Sequence, residues 1–97
     1  MSNQNTKLNI EITHNQAANR FETSIDNQTG YISYQERDGK LVYDHTIVPQ
    51  ALGGRGIGSE LVKHALDYAH EHNKKVIPQC SFVSSYISKH PEYQDLL

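Results

Sequence analysis

Apolar and polar residues alternate at the start of the chain. Leu8, Ile10 and Ile12 sit around Asn9 and Glu11, the two-residue period of a strand with one buried face. The polar stretch His14–Asn19 interrupts it, and Arg20–Ile25 resumes it with Phe21, Thr23 and Ile25 on one side. Asp26 through Gly30 is turn chemistry. Tyr31–Arg37 and Lys40–Val48 then flank Asp38-Gly39, and Asp-Gly between two β-rich runs predicts a hairpin. The pattern gives four strands joined as an antiparallel meander.

At Pro49 the period changes. Gln50–Gly58 is a loop carrying Gly53, Gly54, Gly56 and Gly58, and Ile57–Asn73 reads as a helix. Ile57, Leu61, Ala65 and Ala69 recur along one face, and Val62, Leu66 and Tyr68 widen the stripe. Glu60 falls in the first turn, and His70, His72, Lys74 and Lys75 lie at or beyond the last, as the helix dipole favours. Val76–Gln79 predicts a short strand that ends or splays at Pro78, which has no N–H for a ladder. Phe82–Lys89 is a second, shorter helix with Phe82, Val83, Tyr86 and Ile87 on one face, stopped by His90-Pro91. Passing from strand through helix to strand needs a crossover, so the last strand should run parallel to the fourth. The expected fold is α+β: an antiparallel four-stranded meander, a glycine loop, a central helix, one splayed parallel strand and a C-terminal helix. Residues 1–97 form one domain, with residues 1–7 frayed.

Charge and composition narrow the function. Nine basic residues against eleven acidic, with six histidines, give a net charge of −2. That is not the basic footprint of a nucleic-acid binder. No apolar run approaches the ~18 residues of a membrane span, and the N-terminus has no signal-peptide core. A cytoplasmic protein with no nucleic-acid or membrane partner is expected. The single cysteine, Cys80, excludes an internal disulfide and a cysteine-rich zinc site. His64 and His70 fall on different helix faces and His-Glu-x-x-His is absent, so no metal is expected. With Glu60, Lys63, Asp67, Glu71 and His72 they read as a solvated surface.

The glycine loop carries the first chemical signal. Between a strand and a helix, glycines let the backbone approach a ligand, and the unpaired N–H groups of the first helical turn point at it. Such a junction suits a phosphate or pyrophosphate. Gly53 and Gly58 have the spacing of a P-loop, but Ser59-Glu60 stand where Lys-Ser/Thr is required. Gly54 and Gly56 begin a dinucleotide fingerprint, but Ser59 occupies its third glycine and the next strand ends without a carboxylate.

Gly53-Gly54-Arg55-Gly56-Ile57-Gly58 resembles instead the pyrophosphate loop of the GNAT superfamily of N-acetyltransferases, Gln/Arg-x-x-Gly-x-Gly/Ala at the start of the central helix. Aligned on Gly56 and Gly58, the first position is Gly53, and Arg55 supplies positive charge from within the loop. His45-Thr46-Ile47-Val48-Pro49, Pro78-Gln79-Cys80-Ser81-Phe82-Val83 and His90-Pro91-Glu92-Tyr93 resemble the short, single-domain YjdJ-like group of that superfamily. The resemblance implies that acetyl-CoA, with no metal, lies between two splayed strands. Backbone near Ile47 and Val48 would bind the pantetheine arm. The glycine loop from Gly53 on would bind the pyrophosphate, chiefly through the amides of Gly54, Arg55, Gly56, Ile57, Gly58 and Ser59. It also implies transfer of acetyl to an amine. Long relatives wall the acceptor site with elements this chain lacks, so a protein or peptide acceptor would fit. The alternative is a non-catalytic acyl-CoA-binding or interaction module.

Acyl transfer to an amine needs a base, an oxyanion donor and a proton for the departing thiolate. Val48, on the splayed strand, is the candidate for the backbone donor. Cys80 lies at the start of the second helix, where the dipole favours a thiolate, and the resemblance implies a part in transfer. The bland alternative is a small buried hydrophobe. His45 falls on the face shared by Leu41, Tyr43 and Ile47; a histidine needs little tuning to act as a base, and the other reading is a satisfied core histidine. Tyr86 resembles the tyrosine that protonates the leaving thiolate, or is simply core. His90 caps the second helix.

Overall fold

The computed structural model describes residues 10–97, so residues 1–7, Leu8 and Asn9 lie outside the described residues. Its elements are β1 (Thr13–Asn15), β2 (Arg20–Ile25), β3 (Gln28–Arg37), β4 (Lys40–Ile47), α1 (Ile57–Glu71), β5 (Lys75–Pro78) and α2 (Ser81–Lys89). They build one five-stranded sheet in chain order. The first four strands are antiparallel, and β5 runs parallel to β4 from Lys40↔Lys75 to Tyr43↔Pro78. This is the mixed α+β architecture that the pattern predicts.

Turn chemistry sets the register. Asp26 and Asn27 (φ 52° and 62°) close the β2–β3 hairpin, and Asp38 and Gly39 (φ 53° and 77°) close β3–β4. Both pairs have the double positive φ whose twist matches the flanking strands. Two residues suffice for the first turn, so β3 begins at Gln28 rather than Tyr31.

The first strand differs from the expectation. Ile10 and Ile12 pack against the core without forming a strand, and β1 lies at Thr13–Asn15, inside the expected polar break. His14 explains the shift: its ring stacks on Phe21 at 4.2 Å and its Nε2 lies 2.6 Å from the Tyr34 hydroxyl. A histidine so held behaves as an aromatic residue. Asn15 then accepts from the Ala18 amide to cap a 3-10 turn over Gln16–Ala18.

Both helices pack on the same face of the sheet. The stripe Ile57, Leu61, Val62, Ala65, Leu66 and Ala69 is buried against Phe21, Ile32, Leu41 and Tyr43. The Tyr43 hydroxyl donates to the Ala65 carbonyl at 2.6 Å, fixing helix to sheet. From α2, Val83 and Ile87 join this core, whereas Phe82, expected with them, is 43% exposed and leans over Gly58 instead. Among the described residues no helix covers the opposite face.

After α2, Pro91–Leu96 forms an unanticipated 3-10 segment. Leu96 is buried, Tyr93 donates to Asp67 at 2.7 Å, and Lys75 donates to the Asp95 carbonyl at 2.6 Å. The sheet borders are short, three residues in β1 and four in β5. In β5, Pro78 has no N–H and the Ile77 carbonyl already accepts from Gln79 at 3.0 Å.

Candidate functional site

The strands β4 and β5 part where Pro78 ends the ladder. Their last pair is Tyr43↔Pro78, and among the described residues β4 runs on through Asp44–Ile47 without a partner on that side. One further bond, Cys80 N–H to the Tyr43 carbonyl at 3.0 Å, holds the chain before it turns into α2. Cys80 is the residue preceding that helix, with extended backbone (φ −76°, ψ 130°).

A bulge in β4 decides which side chains enter this gap. Ser33 pairs with His45 and Tyr34 with Tyr43, so Asp44 is the extra residue. Without it Tyr43, His45 and Ile47 would share one face. With it, the alternation reverses. Thr46 pairs with buried Ile32 and faces the helices, while His45 and Ile47 are exposed on the open face. The expectation that His45 shares a face with Leu41 and Tyr43 is therefore corrected: a bulge inverts everything downstream of it. Asp44 also lies on the open face, accepting from Ser33 Oγ at 2.6 Å and Gln35 Nε2 at 3.2 Å. Burial pushes its carboxyl up, but these two donors and a backbone amide outweigh it, leaving the group below its ordinary value with His45 adding a small pull in the same direction.

Thr46 meets Cys80, whose Sγ lies 3.6 Å from Thr46 Oγ1. Partial burial pushes the thiol up, yet its pKa is lowered overall. The Thr46 hydroxyl and the backbone amides of Val83, Phe82 and Thr46 all favour the thiolate. The amides of Phe82 and Val83 belong to the first turn of α2, before its first helical bond, Ser84 N–H to the Cys80 carbonyl at 3.1 Å.

The glycine loop opens as a set of donors. Gly53 N–H donates to the Gln50 carbonyl at 3.0 Å within a 3-10 turn, which leaves the amides expected to bind, from Gly54 on, to open the loop. Among the described residues, the amides of 54–59 find no backbone acceptor, the first helical bond being Glu60 N–H to the Gly56 carbonyl. Gly54 and Gly56 need their glycine, with φ of 78° and 76°. At buried Gly58 a Cβ would lie 2.9 Å from Phe82 Cζ and 3.5 Å from Val48 Cγ2, so the helix start, α2 and the end of β4 meet there.

From Ser59 a cleft of about 300 Å³ runs along α2 past Ser81, Phe82, Ser85 and Tyr86 to Lys89 and His90. The structure thus brings Tyr86 beside the loop end. Its ring stacks on His90 at 3.9 Å, and His90 Nδ1 meets the Tyr86 carbonyl at 2.9 Å, closing α2 as expected. Burial raises the Tyr86 pKa; Lys63 opposes this, and Glu60, Asp67 and Glu92 add to it. Ser81 adjoins Cys80, so the cleft links the loop to the neighbourhood of the thiol, although Cys80 does not line it. Thr46 and Asp44 were missed in the sequence, where nothing signals a bulge.

Among the described residues no group of three or more His, Cys, Asp or Glu is arranged to hold a metal ion, and no helix is long and apolar enough to cross a membrane.

The chain matches a family model described as GCN5-related N-acetyl-transferase over residues 20–96. It is 31% identical over 85 residues to Protein NATD1 of Gallus gallus, covering 84% of this chain and 77% of that one. Homo sapiens Protein NATD1 is likewise 31% identical over 85 residues, covering 84% and 75%. A GCN5-like N-acetyltransferase candidate from Staphylococcus aureus, solved by NMR, superposes with a TM-score of 0.71 at 37% identity, covering 91% of this chain and 87% of that one.

Proposed function

The chain belongs to the GCN5-related N-acetyltransferase family, and on that premise we propose that it moves an acetyl group from acetyl-CoA to an amine. The observation that carries this reading is the run of amides at 54–59 that find no backbone acceptor among the described residues, beside the parted strands and joined at Ser59 to the start of α2 by one cleft. Amides left open at a helix start, with that of Arg55 among them, fit a pyrophosphate. In this reading the backbone at Ile47 and Val48 takes the pantetheine arm as a substitute for the missing strand partner.

Acetyl-CoA supplies the activated acyl carbon, where the new N–C bond forms as the C–S bond breaks. The protein's residues manage the protons and the charge. His45, on the open face, accepts the proton the amine gives up. The Val48 amide donates to the oxygen that becomes negative. Cys80, across the strand and with its thiol acidified, returns a proton to the departing sulfur, and Tyr86 lines the cleft along which the arm runs.

The test is acetyl-CoA-dependent acetylation of an amine panel, with CoA affinity measured separately by calorimetry. His45→Ala and Cys80→Ala should each lower turnover by about 10²-fold or more while CoA affinity stays within twofold. Undiminished turnover in both variants removes the catalytic assignment. CoA affinity with no acetylation of any amine would leave a binding module.

A further inference from the structure

The bulge in β4 puts a carboxylate on the open face immediately beside the gap. Asp44 is held by Ser33 Oγ at 2.6 Å and Gln35 Nε2 at 3.2 Å, both neutral donors. Among the described residues no lysine or arginine pairs with it. On that face Arg20, which pairs with Ser33 across the strands, is committed to Glu22 at 2.6 Å and lies over the Tyr31 ring at 4.5 Å. An ionised carboxylate oriented by hydrogen bonds and, among the described residues, without a lysine or arginine partner is a receptor for a cation. Its surroundings suit an alkyl chain bearing that cation. Ile47, 45% exposed, pairs with Tyr31 across the strands, and both lie on the face that carries Asp44 and His45.

We propose that Asp44 is the docking group for the acceptor, which is a primary alkylammonium of the lysine side-chain type lying over Ile47 and Tyr31. This rests on the acetyltransfer reading for its consequence but not for its binding. Asp44 holds the ammonium next to His45, which then removes the proton that must leave before nitrogen can attack. Asp44 is a positioning residue for the cation; it takes no proton itself. The proposal also explains the bulge. An unbroken β4 would place only one of two adjacent side chains on this face, whereas the extra residue places both there.

The experiment titrates the ¹⁵N-labelled protein, with and without CoA, with Nα-acetyl-lysinamide and with its neutral analogue Nα-acetyl-norleucinamide. Saturable shifts at the amides of 44–46 are expected with the cation, and affinity for the neutral compound should be at least tenfold weaker. In Asp44→Asn, a near-isosteric change that retains an acceptor for Ser33, the preference for the cation should disappear. Ser33→Ala keeps the charge but loosens its orientation and should retain part of the preference, which separates lost charge from lost folding. Equal shifts for both compounds, or a cation preference unchanged in Asp44→Asn, overturn the proposal. Calorimetry on the same samples reports CoA binding, so loss of the cofactor reading and loss of the acceptor reading are distinguishable. Where turnover is measurable, Asp44→Asn should raise KM for alkylamines at least tenfold and leave KM for an aromatic amine, uncharged at neutral pH, within twofold.

Discussion

Gly39 and Gly54 form a matched pair of probes. Their φ angles are 77° and 78°, and a Cβ built on either meets nothing within 4 Å. Alanine at each position therefore carries the same backbone penalty and no steric one. A left-handed conformation costs an L-residue roughly 1–2 kcal/mol, and in a domain this small each kcal/mol lowers Tm by about 4–8 °C. Both variants should melt lower than the parent by a similar amount. They differ in place: Gly39 closes the β3–β4 hairpin, whereas Gly54 opens the run of free amides. Ligand held at 100 times its Kd stabilises by about 2.7 kcal/mol, a rise in Tm of roughly 10–20 °C. Thermal unfolding with and without CoA should show this full rise in the parent and in Gly39→Ala. In Gly54→Ala the strain held at φ 78° also disfavours the one backbone arrangement in which the loop's donors converge. A tenfold weaker affinity there would about halve the stabilisation. An equal CoA-induced rise in all three proteins, or none in the parent, refutes the assignment of the loop.

Two titrations follow from the same structure. The rate of Cys80 alkylation by iodoacetamide should reach half its plateau at a pH below that of an ordinary thiol, and Thr46→Val should move that point upward because a hydrogen bond favouring the thiolate is gone; an unmoved profile would discount Thr46. His14 has its pKa lowered by burial first and then by His64 and His72, and it also meets the Tyr34 hydroxyl and the Tyr68 ring. The unfolded chain then binds the proton more readily, so stability should be fully present above the unfolded value of about 6.5 and fall as pH drops through it toward the lower folded value. Urea denaturation across this window should show the fall, and His14→Phe should flatten it; equal slopes would rule out His14 as the source.

Much of this architecture was legible before any coordinates. The α1 stripe from Ile57 to Ala69 and the Asp38-Gly39 turn are local, strongly periodic signals, and both appear where the pattern puts them. The parting at Pro78 follows from a missing N–H. What the pattern could not carry was non-local. His14 looked like a polar break because its partners, Phe21, Tyr34 and Tyr68, arrive from three other elements. His45 looked inward because alternation was extended through Asp44, and a bulge leaves no mark in the composition of a strand. The 3-10 turn at Gln50, which takes up the Gly53 amide, carries no periodic signal either. The segment Pro91–Leu96 has too few apolar residues to show a period and is fixed by contacts such as Tyr93 to Asp67.

The abbreviated rims of the sheet also govern how the molecule meets copies of itself. Outside the open stretch Asp44–Ile47 of β4, a three-residue strand on one side, and on the other a strand interrupted by proline with a carbonyl satisfied from within, offer little for a foreign chain to zip onto. Growth by lateral strand addition, the usual route by which small β-rich domains form fibres, is thereby discouraged. A sheet face over which, among the described residues, no helix lies is thus framed by borders too short to serve as a template.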